Sequence, residues 1–263
     1  MNSLKLFEHS LIISLDGYEE RRERTQAQLE SVGIKPHILR GLPLFEGEDQ
    51  TRLHRQASTT FNHLRSIMTA KENGWEQVAI FEDDAEVDGS FNDRIWELKG
   101  IPDNWDAFWL TFYVHKRYYN DLNGIKVVKL KEKARVKPPI ECVDRFKNPN
   151  LYRLNYGCTF TIGYIVRNRA YDKFIFELMR KGTSIKTTTI TAIDHQYAAT
   201  IQPNLNCYGI MPGIVYHRSG AMSIADKHVK KTNGCLTKKW WEIKGPLWES
   251  WKELEPVFKE KKT

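Results

Sequence analysis

The fold of this chain is decided by residues 78–85, which read VAIFEDDA. The four apolar residues 78–81 predict a buried strand, because a short continuous apolar run is typical of a strand covered on both faces. The strand ends in three consecutive acids, Glu82, Asp83 and Asp84. In open parallel α/β sheets, ligands bind outside the carboxyl ends of the strands. The stretch therefore predicts a parallel strand that carries a carboxylate cluster to a ligand-binding edge.

A similar pattern occurs near the start of the chain. Residues 11–15 read LIISL and precede Asp16 and Gly17, which predicts a buried strand that ends in a loop. The charged segment 19–32 then predicts a helix that stops at Gly33. This strand–loop–helix order is typical of parallel α/β folds. Further strands are predicted at 37–39, 107–110, 159–166 and 207–211, and further helices at 58–73, 169–181 and 193–199.

The length and composition favour a single α/β domain. The chain has 263 residues, 41% hydrophobic and 28% charged, which is enough apolar material for a sizeable core. We assign residues 1–234 to this domain, with a basic insertion at about 113–153 that holds a short hairpin at Val127-Val128. Residues 235–263 form a C-terminal extension rich in Trp and Lys. Four widely spaced cysteines without a CxxC pair argue against a structural zinc site.

The chain contains no stretch of about 18 apolar residues, which is the length that a membrane span needs. Its first residues, Met1-Asn2-Ser3, do not open a signal peptide. We therefore expect a cytoplasmic protein without a transmembrane segment. Such a protein can still make peripheral contact with an anionic membrane surface.

Positive charge is unevenly distributed along the chain. The net charge is +7, and residues 116–153 alone contain eleven Lys or Arg against four Asp or Glu, which accounts for that excess. A second basic stretch covers residues 218–239. Patches of this kind raise the local concentration of polyanions such as nucleic acid, lipid phosphate or a phosphorylated glycan. A solvated surface without a partner is the alternative interpretation.

The acids at 82–84 need a compensating group. Adjacent carboxylates repel one another and raise each other's pKa unless a cation or several hydrogen-bond donors compensate. Oxygen ligands suit Mg²⁺ or Mn²⁺. Such a metal neutralises a diphosphate, which is the leaving group when a nucleotide sugar transfers its glycosyl unit. A solvated acidic turn is the alternative interpretation of the same residues.

Further motifs lie on both sides of the acid cluster. Those on the N-terminal half are ISLD at 13–16, ERRER at 20–24, VGI at 32–34, Asn62-His63, Gly74, IFEDDA at 80–85 and Phe91. Those that follow are WDAF at 105–108, Tyr156-Gly157, GYIV at 163–166, Arg169-Ala170, Ile193-Asp194 and Ser223-Ile224.

With these motifs the chain resembles glycosyltransferase family 25, which includes the lipopolysaccharide and lipooligosaccharide galactosyltransferases and the collagen galactosyltransferases. The resemblance spans about residues 10–226. The chain departs from the family at the end of the resemblance, where Ala225 breaks the terminal Ser-Asp-Ile motif. It also lacks the Gly-Cys that usually precedes the pair at Asn62-His63, and it contains the basic insertion. The acceptor specificity of the family is therefore not transferred to this chain.

The resemblance implies a fold of the GT-A type, an α/β fold with a mostly parallel nucleotide-binding sheet flanked by helices. It also implies a UDP-sugar donor and a Mn²⁺ or Mg²⁺ cofactor, with Glu82 and Asp84 as metal ligands. The donor-binding residues implied are Ser14, Leu15, Asp16, Arg21 and Asp83. For Arg21, a salt bridge at the start of a helix is an equally good interpretation.

Two residues later in the chain complete the expected site. Inverting transfer needs a general base on the acceptor hydroxyl, and a carboxylate is sufficient. Asp194 is our candidate, although an acid at a helix N-terminus is also favoured by the helix dipole. His217 follows an apolar run, where many enzymes of this fold place a late histidine metal ligand. A hydrogen-bonded structural histidine is the alternative.

Three functions remain open on the sequence alone. The first is transfer of a sugar from a UDP-sugar to a saccharide, as in lipooligosaccharide assembly. The second keeps this chemistry but uses hydroxymethylated bases in DNA as the acceptor, which would suit the basic segments and a flipped base. The third is a non-catalytic protein that binds nucleic acid or a membrane surface and whose acids are incidental.

Overall fold

The computed structural model describes residues 3–42, 52–114, 139–182 and 192–217. The strands in these ranges are β1 (Ser10–Ser14), β2 (His37–Arg40), β3 (Gln77–Glu82), β4 (Ala85–Val87), β5 (Ala107–Trp109), β6 (Tyr113–Val114), β7 (Ile140–Asp144), β8 (Asn148–Leu154), β9 (Cys158–Thr159), β10 (Gly163–Arg167), β11 (Cys207–Ile210) and β12 (Val215–His217). The α-helices are α1 (Glu19–Ser31), α2 (Arg52–Glu72), α3 (Phe91–Arg94), α4 (Tyr171–Gly182) and α5 (Ile193–Gln196).

Eight of the strands form one central sheet in the order β2-β1-β3-β10-β5-β11-β8-β7. Strands β2, β1 and β3 are parallel neighbours, and β11 is parallel to β5. Strand β10 lies antiparallel between β3 and β5, so these two strands also point the same way. The predicted α/β class, a mostly parallel sheet flanked by helices with acids at the end of a central strand, is confirmed.

The apolar side chains of β3 alternate between the two faces of the sheet. Val78 and Ile80 belong to one core cluster, together with buried residues of α2 and α4. Ala79 and Phe81 belong to a second cluster, which contains Leu29 of α1. All four strand residues are fully buried. A strand covered on both faces is what the continuous apolar run at 78–81 predicts.

Helix α1 ends in a turn that requires glycine. Gly33 has a φ of +87°, a left-handed conformation that residues with a side chain rarely adopt. The amide of Gly33 donates to the carbonyl of Glu30 at 3.0 Å, and the amide of Ile34 donates to the carbonyl of Leu29 at 2.9 Å. These bonds are those of a Schellman motif. The predicted helix stop at Gly33 is confirmed.

Three predicted elements have different bounds in the structure. Helix α2 begins at Arg52, six residues before the predicted start at Ser58. The strand predicted at 159–166 is divided into β9 and β10, because Phe160 has a φ of 105° and the chain cannot continue as a strand there. The helix predicted at 193–199 consists of α5 followed by a π-helical turn at Tyr197–Ile201.

Part of the predicted basic insertion completes the central sheet. Strands β7 and β8 pair with each other, and β8 pairs with β11, so residues 140–154 add two strands at one edge. The hairpin predicted at Val127-Val128 and the C-terminal extension 235–263 lie outside the described residues. Within the ranges that are described, no helix combines the length and the apolar composition needed to cross a bilayer.

We predict that Gly33→Ala lowers the free energy of unfolding by about 1–2 kcal/mol, because an alanine must then adopt the left-handed conformation. Space is not the cause, since a Cβ at Gly33 would lie 3.6 Å from Leu4 Cδ1, an ordinary contact. Gly89→Ala is the matched control, because Gly89 has open space around it and no left-handed φ. Urea unfolding of both variants measures the difference, and equal stabilities would contradict the prediction.

Candidate active site

The candidate site lies where β1, β3, α1 and β12 meet. Strands β1 and β3 are paired in parallel with Ile13 opposite Glu82, so both strands end at the same edge of the sheet. Strand β12 pairs with β4, which places His217 opposite Ala85, next to the acids. Arg21 lies in the first turn of α1, which begins four residues after the Leu15 that follows β1. The topology therefore brings four separate segments to the end of β3.

Arg21 joins two of the acids. One guanidinium nitrogen, Nη2, lies 2.7 Å from Asp83 Oδ1 and 2.5 Å from Asp84 Oδ2. The side chains are well shielded, with exposed fractions of 18% for Arg21, 7% for Asp83 and 4% for Asp84. The guanidinium also lies over the ring of Tyr18, 5.4 Å from its centroid. The salt bridge expected for Arg21 is present, and its partners are the residues of the acid cluster.

Asp84 is also paired with His217. The distance from His217 Nε2 to Asp84 Oδ2 is 3.0 Å. Burial alone would raise the pKa of Asp84, but the hydrogen bond and charge of His217, together with Arg21, lower it below its ordinary value of 3.8. The other oxygen, Asp84 Oδ1, is buried and has no hydrogen-bond partner among the described residues. Asp84 is therefore an ionised carboxylate with one acceptor position unused.

The pKa of Asp83 is shifted in the opposite direction from the pKa of Asp84. Burial raises the pKa of Asp83 to about 6, and the positive charge of Arg21 opposes this without cancelling it. The negative charge of Asp84 adds to the increase, and a hydrogen bond with the Ser14 side chain opposes it. The backbone at this point is held by Thr25, whose hydroxyl donates to the carbonyls of Asp83 at 2.8 Å and Ala85 at 3.0 Å.

Glu82 faces the side of the sheet that α2 covers. Thr161 Oγ1 donates a hydrogen bond to Glu82 Oε1 at 2.5 Å, and His63 Nε2 of α2 lies 3.6 Å from the same oxygen. The Glu82 side chain is 30% exposed, whereas His63 is almost completely buried. The expected pair of metal-side acids, Glu82 and Asp84, is thus divided between two environments in this structure.

The loop after β1 contains two further residues that were expected to bind the donor. Asp16 is exposed and forms a two-pronged ion pair with Arg40, with Arg40 Nε at 3.0 Å and 2.9 Å from its two oxygens. Leu15 is half-buried, and its Cδ2 would lie 2.8 Å from a Cβ placed on Gly41. Ser14 and Arg21 therefore join the acid cluster, while Asp16 is engaged by the end of β2.

Asp194 lies on α5, on the same face of the sheet as Glu82. Its carboxylate Oδ1 accepts a hydrogen bond from the His195 amide at 2.8 Å. Helix α5 packs against α2, α4 and β9. Ile193, the residue before Asp194, is part of the core cluster on that face. Asp194 itself is half-buried.

Several residues around the acids were not among the predicted site residues. His63 and Tyr164 were quoted only as parts of motifs, and Thr25, Thr161 and Tyr197 were not among the residues quoted. A signal was available for His63, because it lies beside Leu64 in the buried stripe of α2, where a polar side chain needs a partner. Thr25 lies four residues before Leu29, the spacing of one helix face. The hydroxyls contributed by distant segments had no such signal.

Asp84 and His217 have a separation that suits a shared cation. Two ligands at about 2.1 Å from a metal and at right angles to each other lie about 3.0 Å apart, which is the distance between Asp84 Oδ2 and His217 Nε2. The unpartnered Asp84 Oδ1 supplies a further acceptor. In the part of the chain that the structure describes, no group of three or more His, Cys, Asp or Glu side chains is arranged to hold a metal.

Comparison with known proteins gives no family assignment. No family model and no curated protein matches the chain. Among solved structures, A197 from STIV matches with 12% identity over 80% of this chain and 85% of that one, at a TM-score of 0.40. A glycosyltransferase involved in the glycosylation of the major capsid of PBCV-1 matches with 12% identity over 78% and 92%, at 0.39. Mouse xyloside xylosyltransferase 1 matches with 10% identity over 65% and 71%, at 0.32.

We predict that Asp83→Asn becomes more stable relative to the unaltered protein as the pH rises from about 4 to about 6.5. The folded-state pKa of Asp83 is about 6, against an ordinary value of 3.8, so between these values the folded protein binds the proton more tightly than the unfolded chain. The contribution of the Asp83 carboxyl to the free energy of unfolding is fully present below about pH 3.8 and is lost as the pH rises through about 6. An asparagine does not titrate and avoids this loss.

The difference between the two proteins should change by about 2–3 kcal/mol over that range and be constant above about pH 7. Urea unfolding at a series of pH values, with a chelator present, measures it. The exposed Asp93→Asn is the control and should follow the unaltered protein throughout. Parallel stability curves for Asp83→Asn and the unaltered protein would contradict the prediction.

Proposed function

We propose that this chain is a metal-dependent, inverting glycosyltransferase of the GT-A type, which moves a sugar from a UDP-sugar to an acceptor hydroxyl. The observation that carries the proposal is the buried pair Asp83 and Asp84 at the end of β3, held by Arg21 and His217. Carboxylates at the end of a parallel strand suit a divalent cation, and a basic side chain beside them suits the diphosphate that the cation neutralises.

The charges in this cluster support a further cation. Asp83 and Asp84 share one guanidinium nitrogen of Arg21, so one positive charge serves two carboxylates. Among the described residues, none lies within hydrogen-bonding geometry of one buried oxygen, Asp84 Oδ1. A buried acceptor without a partner costs about 1–3 kcal/mol, and more for a charged group. A cation bound there would recover that cost.

Asp84 and His217 are the residues that we propose to hold this metal, Mn²⁺ or Mg²⁺. The sequence also predicts Glu82 as a metal ligand, but its carboxylate is turned toward Thr161. We therefore take Asp84 and His217 as the metal pair. When bound, the metal would neutralise the diphosphate of the departing UDP.

The donor would lie against the loop between β1 and α1, with Ser14, Leu15 and Asp16 beside the nucleotide. Arg21 is the side chain that we propose for the diphosphate. Its Nε is buried and has no hydrogen-bond partner within the described ranges, and the planar fork of a guanidinium matches phosphate oxygens. The first turn of α1 adds the positive end of a helix dipole at the same place.

The transfer itself would be a single displacement. The acceptor hydroxyl oxygen forms a bond to the anomeric carbon while the bond from that carbon to the diphosphate oxygen breaks, so the configuration inverts. The electron pair of the broken bond leaves with UDP, and the hydroxyl proton passes to a general base. We propose Asp194 for this role, because it is a half-buried carboxylate on the face of the sheet that Glu82 also occupies.

A saccharide, such as a lipooligosaccharide, is the acceptor class that we propose, for an enzyme in the cytoplasm that contacts an anionic membrane surface peripherally. The alternative acceptor, a hydroxymethylated base in DNA, depends on the basic residues 116–138 and 218–239. All of these lie outside the described residues, so no described contact favours DNA.

We predict that Asp84→Asn abolishes metal-dependent hydrolysis of the donor. The same change should abolish the thermal stabilisation by UDP with Mn²⁺, because the variant loses a charged metal ligand. For the unaltered protein, UDP at about 100 times its dissociation constant should add about 2.7 kcal/mol to the free energy of unfolding. Thermal denaturation with and without UDP and Mn²⁺ measures this, and UDP release from a panel of UDP-sugars measures hydrolysis.

Asp103→Asn is the control for this experiment. Asp103 is exposed and lies before the start of β5, whereas the acids follow the end of β3, and these two strands point the same way. Full activity in Asp84→Asn would refute the proposed function. Absence of any shift with UDP and Mn²⁺ in the unaltered protein would instead indicate a non-catalytic protein.

A further inference from the structure

A chain of three buried side chains lies behind Glu82. His63 Nδ1 is 2.8 Å from the hydroxyl of Tyr164, and that hydroxyl is 3.0 Å from the hydroxyl of Tyr197. The three residues come from α2, β10 and the π-helical turn, and each is at most 1% exposed. Such a polar chain in a core needs every member satisfied, so its single unsatisfied atom is informative. That atom is His63 Nε2, which is buried and has no hydrogen-bond partner in the part of the chain that the structure describes.

The protons in this chain fix the state of His63. Burial raises the pKa of both tyrosines, and the negative charge of Glu82 adds to the increase, so both hydroxyls keep their protons. If Tyr197 donates to Tyr164, then Tyr164 donates to His63 Nδ1 and the ring proton is on Nε2. The reverse order would direct the lone pair of Nε2 at the Glu82 carboxylate, 3.6 Å away, which is repulsive. The favourable arrangement therefore presents an N–H to Glu82.

Both neighbouring groups approach the same oxygen of Glu82. Thr161 donates a hydrogen bond to Oε1, and His63 Nε2 lies 3.6 Å from Oε1, an electrostatic contact that is longer than a hydrogen bond. Among the described residues, none donates to the second oxygen, Oε2. The Glu82 side chain is 30% exposed, so part of it is open to solvent. Glu82 is thus a carboxylate that is held from the protein interior through Oε1, and we take Oε2 as the oxygen that is open to a ligand.

We propose that Glu82 binds a sugar hydroxyl through Oε2, and that His63, Tyr164 and Tyr197 are positioning residues that hold its carboxylate. The inference rests on the proposed function and adds a sugar-binding role within the same site. A hydroxyl group fits this position because it donates a hydrogen bond to a carboxylate and brings no charge that the buried chain would have to balance. The contacts of Glu82 on the α2 side separate it from Arg21 and His217, the partners of Asp83 and Asp84.

The hydroxyl could belong to the transferred sugar or to the acceptor, and two binding measurements distinguish these sources. The first compares the binding of UDP with that of UDP-glucose and UDP-galactose, each with Mn²⁺. The difference reports what the donor sugar adds to the affinity. The second titrates methyl β-galactoside and methyl β-glucoside into protein saturated with UDP and Mn²⁺. Isothermal calorimetry gives the dissociation constants in both.

For Glu82→Gln we expect UDP to bind as it does to the unaltered protein. The affinity reported by one of the two sugar measurements should fall about tenfold. A hydrogen bond to a charged group is worth at least that factor. Loss in the first measurement assigns the hydroxyl to the donor, and loss in the second assigns it to the acceptor. Tyr197→Phe should weaken the same sugar measurement to a smaller extent and leave UDP binding intact, a selectivity that general destabilisation would not produce.

Tyr171→Phe is the matched control. Tyr171 is a buried tyrosine of the same core cluster, and its hydroxyl has no hydrogen-bond partner, so its removal should change neither measurement. Loss of UDP and Mn²⁺ binding in Glu82→Gln, as expected for Asp84→Asn, would make Glu82 a metal ligand and overturn the inference. Unchanged binding in every measurement would also overturn it. Failure of the unaltered protein to bind UDP with Mn²⁺ would overturn the proposed function and this inference together.

Discussion

The structure depends on one guanidinium group that serves two buried carboxylates. Arg21 Nη2 contacts both Asp83 and Asp84, and removal of one member of a buried ionic group typically costs about 3–5 kcal/mol because a charge is left uncompensated. Helix α1 buries few apolar residues, chiefly Leu29, and one helical turn after Arg21 it presents Thr25 to the backbone of the acids. The contacts that balance the charge at the end of β3 are therefore also contacts that hold α1 against the sheet.

The two faces of the sheet give neighbouring acids different surroundings. On the α1 side, Asp83 and Asp84 are held by charged groups, as a site for phosphate and metal would need. On the α2 side, Glu82 accepts a hydrogen bond from the Thr161 hydroxyl, and the His63 imidazole lies 3.6 Å from the same oxygen. Asp194 occupies the second side as well. A division of this kind would keep the highly charged leaving group and the uncharged sugar ring on separate sets of contacts.

The elements along the chain were predictable because they depend on local patterns. The apolar run at 78–81, the acids that follow it and the stop at Gly33 are all determined by neighbouring residues, and each has the predicted place. The partner of Asp16 was not predictable, because Arg40 reaches it through the pairing of β1 with β2. The tyrosine chain behind His63 depends in the same way on contacts between distant segments, which no single stretch of sequence encodes.

The opposite orientation of Glu82 and Asp83 has a consequence for how this chain tolerates change. Side chains alternate along a strand with a period of two, and Glu82 is the last residue of β3, so its face depends on its spacing from the buried residues 78–81. Deletion or insertion of one residue between 78 and 82 would turn Glu82 to the other face even if every acid were retained. The spacing of these residues is consequently as much a part of the site as their chemical identity.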